Sequence, residues 1–196
     1  MGEFKGFRPS RMSRVDVNQL SAKQRELYDE GMSRSKHGLV GPLNVLIRSP
    51  AFSDVLVQFG DFANLPDSGL SPRLRELAIL IVARFWDADY EWRAHAPKAL
   101  GLGIPRSALE DLRAGRPPTG LSDDEVAIWD FLHTLLRERR ASDAQYERAK
   151  AILGEVPLIH LLGFVGHYGT LALILNATET HAIEPPEDEL EMLYPS

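Results

Sequence analysis

The sequence predicts an all-α fold, and three observations support this prediction. Helix-capping patterns, in which a serine is followed by proline or by a glutamine or glutamate three residues later, recur before apolar segments. Within those segments the apolar residues follow helical spacing. No segment shows the sustained apolar–polar alternation that is typical of a half-buried strand. With 196 residues, of which 44% are apolar and 26% charged, the chain is long enough to bury a sizeable core.

The capping patterns predict where the helices begin. Ser21 and Ser122 each start a capping box, while Ser49 and Ser71 each precede a proline at the first helical position. In chain order, the predicted helices cover residues 21–32, 41–49, 50–64, 72–86, 88–96, 105–114, 122–139, 142–153 and 155–178.

These helices are expected to form one domain with an extension at each end. Residues 21–180 carry the helix signals, residues 1–20 form an N-terminal arm that can include part of a tag, and residues 181–196 form an acidic tail. Asp87 is expected to cap the helix that follows it. Pro97 is expected to kink or restart that helix, because proline has no N–H to donate.

Composition and missing motifs exclude several function classes. The chain has no cysteine, which excludes disulfides, cysteine-ligated metal clusters and thiol nucleophiles, and a reducing, cytoplasmic setting is expected. A net charge of −6 argues against nucleic acid or an anionic membrane as a partner. No apolar run is expected to reach the roughly 18–20 residues that a membrane span needs. Neither a compact metal-ligand motif nor a glycine motif for phosphate is present, so no metal or other cofactor is expected.

Titratable residues inside apolar helices are candidates for chemistry, because an unpaired buried charge is costly. Glu76 and Arg84 lie two turns apart in the most apolar segment, roughly on the same side of the predicted helix. They can belong to a functional site or to an ion pair at an interface. Glu76 can also be satisfied near the helix N-terminus, where its charge suits the helix dipole.

A second pair lies on the next predicted helix. Glu91 and His95 are four residues apart, so their side chains can meet. A carboxylate beside an imidazole orients the ring and raises its pKa, which produces a proton donor near neutral pH. Such a pair can perform general acid–base catalysis, or it can be an ordinary surface pair. Trp92 lies near the same face, where it can form a pocket wall or part of the core.

Two further histidines lie on the last long helix. His160 and His167 are seven residues apart and therefore share a face, and Tyr168 follows His167 directly. Histidines in so apolar a run need partners. Each can line a cavity or bond to a backbone carbonyl in the core. The roles of His160 and His37 stay open.

The segment 74–96, LRELAILIVARFWDADYEWRAHA, resembles the carboxymuconolactone decarboxylase family, which has the alkylhydroperoxidase D-like fold. The peroxidase branch of that fold carries the pattern E-x11-C-x2-C-x3-H, and the same positions here hold Glu76, Ala88, Glu91 and His95. Both cysteines are replaced, so the resemblance implies that thiol peroxidase activity is absent. The decarboxylase branch lacks the cysteines and keeps a glutamate four residues before the histidine, which matches Glu91 and His95.

The resemblance implies a cofactor-free lyase that acts on a small carboxylated unsaturated lactone or on a ring-cleavage product of aromatic catabolism. His95 would then be the general acid/base, Glu91 its orienting and pKa-setting partner, and Glu76 a second proton carrier. Arg84 would anchor a substrate carboxylate. The expected pocket wall comprises Asn44, Trp92, His167 and Tyr168. A hydrolase or isomerase of a related dienoate would use nearly the same residues, and a non-catalytic ligand-binding helical oligomer is a third interpretation.

Assembly is the last expectation from the sequence. Helices that are apolar on nearly all sides need more burial than one chain of this size supplies. We therefore expect a homo-oligomer, and the resemblance implies a trimer or a hexamer.

Overall fold

The computed structural model describes residues 10–13, 15–34, 41–62 and 65–180. Its regular structure there is helical and contains no strand, which confirms the all-α prediction. The acidic tail and His37 lie outside the described residues, as do the first nine residues of the N-terminal arm. The helices are α1 (Ala22–Arg34), α2 (Pro42–Leu46), α3 (Pro50–Phe62), α4 (Pro72–Phe85), α5 (Asp89–Gly101), α6 (Arg106–Arg113), α7 (Asp123–Glu138), α8 (Asp143–Leu153) and α9 (Glu155–Thr178).

Side-chain caps set the helix starts where the sequence predicts them. The Ser71 hydroxyl accepts a hydrogen bond from the backbone N–H of Leu74 at 3.1 Å, which satisfies one of the free donors at the start of α4. Ser122 and Glu125 form a reciprocal capping box at the start of α7, with distances of 3.0 and 3.3 Å. These contacts lie within one turn, so a short stretch of sequence determines them.

The expected Asp87 cap of the helix that follows α4 is wrong, and so is the expected restart at Pro97. The N-cap residue of α5 is Ala88, and no side chain caps the helix. Asp87 instead adopts a left-handed backbone conformation with φ 49° and forms an ion pair with Arg84. Pro97 lies inside α5, which continues to Gly101. The ring of Pro97 is exposed, so it does not disturb the side of the helix that packs on the core.

Helix α4 is the centre of the core. Helices α5, α6, α7 and α9 all pack against it. Its buried residues are Leu74, Leu77, Ala78, Ile79, Leu80, Ile81, Val82 and Ala83. Because so many successive positions are covered, α4 is enclosed on most sides, as its apolar sequence predicts.

Helix α9 is buried on one side only. Its 24 residues include an 18-residue window with a mean hydropathy of 1.7, so by length and composition it could cross a membrane, contrary to the expectation that no apolar run is long enough. It packs against α2, α3, α4 and α8, and 39% of that window is buried. Val156, Ile159 and Leu173 remain more than half exposed. The fold of one chain thus leaves an apolar side of α9 uncovered.

Candidate active site

A hydrogen bond between Glu76 and His95 forms the centre of the candidate site. Glu76 lies in the second turn of α4 and His95 in the middle of α5, and the turn at Asp87 and Ala88 folds the two helices against each other. Nδ1 of His95 lies 2.7 Å from Oε2 of Glu76. Their side chains are 13% and 15% exposed, so the pair is largely shielded from water but reachable. With Nδ1–H donating to the carboxylate, Nε2 is the ring atom left to exchange protons with a ligand.

His95 is a base in this environment. Burial lowers its pKa below the ordinary 6.5; the hydrogen bond to Glu76 works in the opposite direction, and the charge of Lys98 lowers the pKa further. The net direction is downward. The expectation that a carboxylate neighbour makes His95 a proton donor near neutral pH is therefore wrong, because the loss of solvation outweighs the attraction of the carboxylate. At neutral pH the imidazole is uncharged and can accept a proton.

Glu91 is not the residue that orients His95. The hydrogen-bond partner on Nδ1 is Glu76, which reaches the ring from α4, although Glu91 lies one turn before His95 on α5. Glu91 is 2% exposed, and its Oε2 has no hydrogen-bond partner among the described residues. Burial raises its pKa from 4.5 to about 8, so the carboxyl group is mostly protonated at pH 7. Glu91 is thus a neutral acid beside a neutral base.

An aromatic wall from α9 covers the His95 ring. Tyr168 meets that ring edge to face, with ring centroids 5.3 Å apart, and it also contacts Phe164 and His167. Burial raises the pKa of the Tyr168 phenol, and the charge of Glu76 raises it further. The phenol therefore keeps its proton and can donate a hydrogen bond.

His167 forms the far end of this wall. The residue is 7% exposed, and its Nδ1 has no hydrogen-bond partner among the described residues. Its ring meets Phe59 of α3 edge to face at 5.7 Å. The helix α3 approaches so closely that a Cβ on Gly60 would lie 2.8 Å from Nε2 of His167. Burial lowers the pKa of His167, so this ring is uncharged as well.

A profile of the carboxymuconolactone decarboxylase family matches residues 50–133, which include both Glu76 and His95. This segment of the chain is therefore similar to that family. No functionally curated protein matches the chain.

Solved structures with the alkylhydroperoxidase D-like fold are similar to this chain. An alkylhydroperoxidase AhpD core structure, an uncharacterized peroxidase-related protein from Ralstonia eutropha JMP134, has a TM-score of 0.75 at 14% identity over 94% of this chain and 96% of its own. An uncharacterized peroxidase-related protein from Silicibacter sp. TM1040 has a TM-score of 0.70 at 16% identity over 96% and 97%. At such identities the likeness concerns the fold alone.

The first and last positions of the pattern E-x11-C-x2-C-x3-H meet in space, and the two positions between them are buried. Ala88, at the first cysteine position, is 1% exposed, and Glu91 at the second is also buried. The glutamate and histidine positions are joined by the hydrogen bond between Glu76 and His95. The chain therefore keeps the ends of the pattern and replaces the thiol pair with a small apolar residue and a protonated carboxyl group.

Arg84 does not join this site. It forms an ion pair with Asp87 and lines a separate cavity, whose lining includes neither Glu76 nor His95. Eight residues at 100° each turn the helix by about 80° beyond two full turns, so the side chains of Glu76 and Arg84 diverge. The expectation that Arg84 anchors a carboxylate beside His95 is therefore wrong.

Two other predicted candidates, Trp92 and Asn44, form no hydrogen bond or ring contact with His95 that the described residues show. Trp92 is 2% exposed and belongs to the hydrophobic core, which is one of the two alternatives that the sequence left open. Asn44 is buried on α2, which packs on α9, but the hydrogen bonds and ring contacts of the described residues do not join it to His95. His160 has the structural role that the sequence left open: its Nδ1 lies 2.8 Å from the carbonyl oxygen of Ser68.

Sequence reasoning missed two cations that influence the site. Lys98 lies one turn after His95 and lowers its pKa, and Arg75 lies next to Glu76 and opposes the rise in the Tyr168 pKa. The three-residue spacing from His95 to Lys98 could have been noticed in the sequence. No group of three His, Asp or Glu residues suited to a metal ion occurs within the described part of the chain.

Proposed function

We propose that this protein is a cofactor-free enzyme that acts by acid–base catalysis on a small carboxylated unsaturated lactone or aromatic ring-cleavage product, as a decarboxylase-like lyase. The hydrogen bond between Glu76 and His95 carries this proposal, because it fixes the ring and leaves Nε2 to face a ligand. The similarity of residues 50–133 to the carboxymuconolactone decarboxylase family supports the proposed substrate class. A thiol peroxidase reaction is not proposed, since the chain has no cysteine.

In a decarboxylation, the bond between the substrate carboxylate and its carbon breaks, CO2 leaves, and the electron pair enters the conjugated system. A carbon atom of the resulting dienolate then takes a proton. Glu91, protonated because burial raises its pKa to about 8, is the proposed donor, and the neutral His95 then accepts a proton from solvent and returns it to the Glu91 carboxylate. The phenol of Tyr168, held against the His95 ring, is the proposed hydrogen-bond donor to the dienolate oxygen.

One observation favours an isomerase as the second candidate. A neutral His95 beside a protonated Glu91 can remove a proton from one carbon and deliver another to a second carbon of a dienoate. In a hydrolase, the same neutral His95 would activate water. All three reactions place a carboxylated substrate near Lys98 and Arg75, which supply the positive charge that Arg84 does not.

The test is product analysis with a panel of carboxylated unsaturated lactones and dienoates. A decarboxylase releases CO2 in step with substrate loss, a hydrolase releases an acid or alcohol, and an isomerase changes the ultraviolet spectrum without releasing a fragment. His95→Gln should lower kcat by roughly 10²–10⁴-fold. The exposed Glu110→Gln is the matched surface control for Glu76→Gln and should leave kcat unchanged.

Glu76→Gln separates a positioning role from a merely structural one. The amide oxygen can still accept from Nδ1–H, but the charge that raises the His95 pKa is gone. Since His95 must be neutral to act as a base, the rate rises as pH passes its pKa, and Glu76→Gln should move this acid limb to lower pH. An unmoved limb together with unchanged kcat would remove Glu76 from the mechanism. If no panel substrate turns over in any variant while ligand binding persists, the ligand-binding oligomer is the better interpretation.

The uncovered sides of two neighbouring helices support the proposal of a homo-oligomer, a trimer or a hexamer. Phe52, Val55 and Phe59 are 44%, 64% and 41% exposed on α3, which packs beside the uncovered side of α9. Val156 and Ile159 of α9 are 58% and 62% exposed. An apolar surface spread over two adjacent helices is what a subunit interface requires.

We also propose a cytoplasmic location, because the chain has no cysteine.

A further inference from the structure

A cavity lies on another side of α4 from the Glu76–His95 pair. It has a volume of about 220 Å³ and lies between α4, the end of α6, and α7. Its lining includes neither Glu76 nor His95. The side chains that give it its character are Arg84, Phe85, Arg116, Trp129, His133 and Arg137.

The lining of this cavity carries more positive than negative charge. The lining contains three arginines and only one carboxylate, that of Asp87. Asp87 forms an ion pair with Arg84, and Arg116 forms one with Asp111 at 2.7 Å. Arg137 is the third arginine, and its charge adds to burial in lowering the pKa of His133. An anion is therefore the ligand that this charge pattern favours.

Arg84 is the most enclosed of the three lining arginines. Its side chain is 17% exposed, it is paired with Asp87, and its Nε has no hydrogen-bond partner among the described residues. Asp87 thus satisfies this guanidinium only in part, and a ligand carboxylate in the cavity would give it a second acceptor. A guanidinium group presents two parallel N–H donors, which match the two oxygens of a carboxylate. It therefore binds a carboxylate better than a compact cation such as an ammonium group does.

The rest of the lining is aromatic and apolar. Trp129 is 8% exposed and stacks on His133, with ring centroids 4.9 Å apart and an interplanar angle of 23°. Phe85 is 40% exposed, and Ile81, Leu112 and Leu136 complete the apolar surface. Flat aromatic surfaces favour a planar ligand. A volume of about 220 Å³ lies below the 300–1,000 Å³ of sites for drug-sized molecules, so the cavity suits a single ring.

We propose that this cavity is a binding site for a small planar carboxylate of one ring, with the carboxylate on Arg84 and the ring against Trp129. The site is separate from the Glu76–His95 pair, and the proposal does not depend on which reaction that pair performs.

Benzoate is the probe, and its uncharged relative benzamide is the matched control ligand. Isothermal titration calorimetry on the full chain should show benzoate binding at least about tenfold more tightly than benzamide. Arg84→Gln should weaken benzoate binding about ten- to hundredfold, which is the usual worth of a hydrogen bond to a charged group. Arg137→Gln should weaken it by a smaller factor, while Arg140→Gln, an exposed arginine outside the lining, should not change it.

His95→Gln locates the bound benzoate. It should leave the benzoate dissociation constant unchanged, because His95 does not line this cavity. Binding that is lost in His95→Gln and kept in Arg84→Gln would place benzoate at the other site and overturn the proposal. Equal affinity for benzoate and benzamide would overturn it too. If Arg84→Gln does not fold, the Arg137→Gln variant and the benzamide comparison still decide.

Discussion

The buried carboxyl group of Glu91 makes the stability of this protein depend on pH. Its pKa is raised from 4.5 to about 8 in the folded state, so the folded protein holds this proton over a range in which the unfolded chain releases it. The stabilisation is complete below pH 4.5 and is lost progressively as pH rises to about 8. At about 1.4 kcal/mol for each unit of pKa, the rise amounts to a loss of roughly 5 kcal/mol between these limits.

Glu91→Gln removes that dependence, because glutamine resembles the protonated acid and does not ionise. The free energy of unfolding of the variant should be close to that of the wild type near pH 4.5 and exceed it by an amount that grows up to about pH 8. Denaturant unfolding followed by circular dichroism, at one protein concentration and several pH values, measures this difference. Glu110→Gln, on an exposed position, is the control. A difference that stays constant from pH 5 to pH 8 would show that Glu91 is ionised in the folded protein, and would refute its proposed role as the acid.

Three further predictions concern packing, assembly and cofactors. Gly60→Ala should lower the free energy of unfolding by about 1–3 kcal/mol, because its Cβ would lie 2.8 Å from the buried ring of His167, whereas Gly101→Ala, with nothing within 4 Å, is the control in the same thermal melt. Light scattering at micromolar concentration should give the mass of a trimer or hexamer; a monomer mass contradicts the proposed assembly. Activity should survive dialysis against EDTA, and a loss that zinc or manganese restores would contradict the cofactor-free mechanism.

Helix starts could be predicted from the sequence because their causes are local. The caps of α4 and α7 each depend on residues within one turn, Ser71 in the first case and Ser122 with Glu125 in the second. Pro97 was predicted wrongly for the opposite reason. Whether a proline breaks a helix depends on the packing around it, and here the core holds the neighbouring turns of α5.

The members of the Glu76–His95 pair could be named from the sequence, but their pairing could not. Spacing within one helix pointed to Glu91 as the partner of His95, whereas the partner on Nδ1 comes from another helix. The sign of the His95 pKa change also depends on burial, which follows from how α9 covers the site. Both properties arise from tertiary packing, so no local sequence pattern predicts them.

In the proposed mechanism, the residues that transfer protons lie on the hairpin of α4 and α5, and those that select the ligand lie on α9. Glu76 and His95 are 19 residues apart, so little chain entropy is lost in bringing them together, and the hairpin can act as an early unit of folding. Tyr168 and His167 arrive from α9, beyond the matched segment 50–133. Mutations that accumulate in α9 can therefore reshape the space above the imidazole while the pair beneath it persists. Relatives should therefore differ first in the ligands that they bind, and only later in the residues that transfer protons.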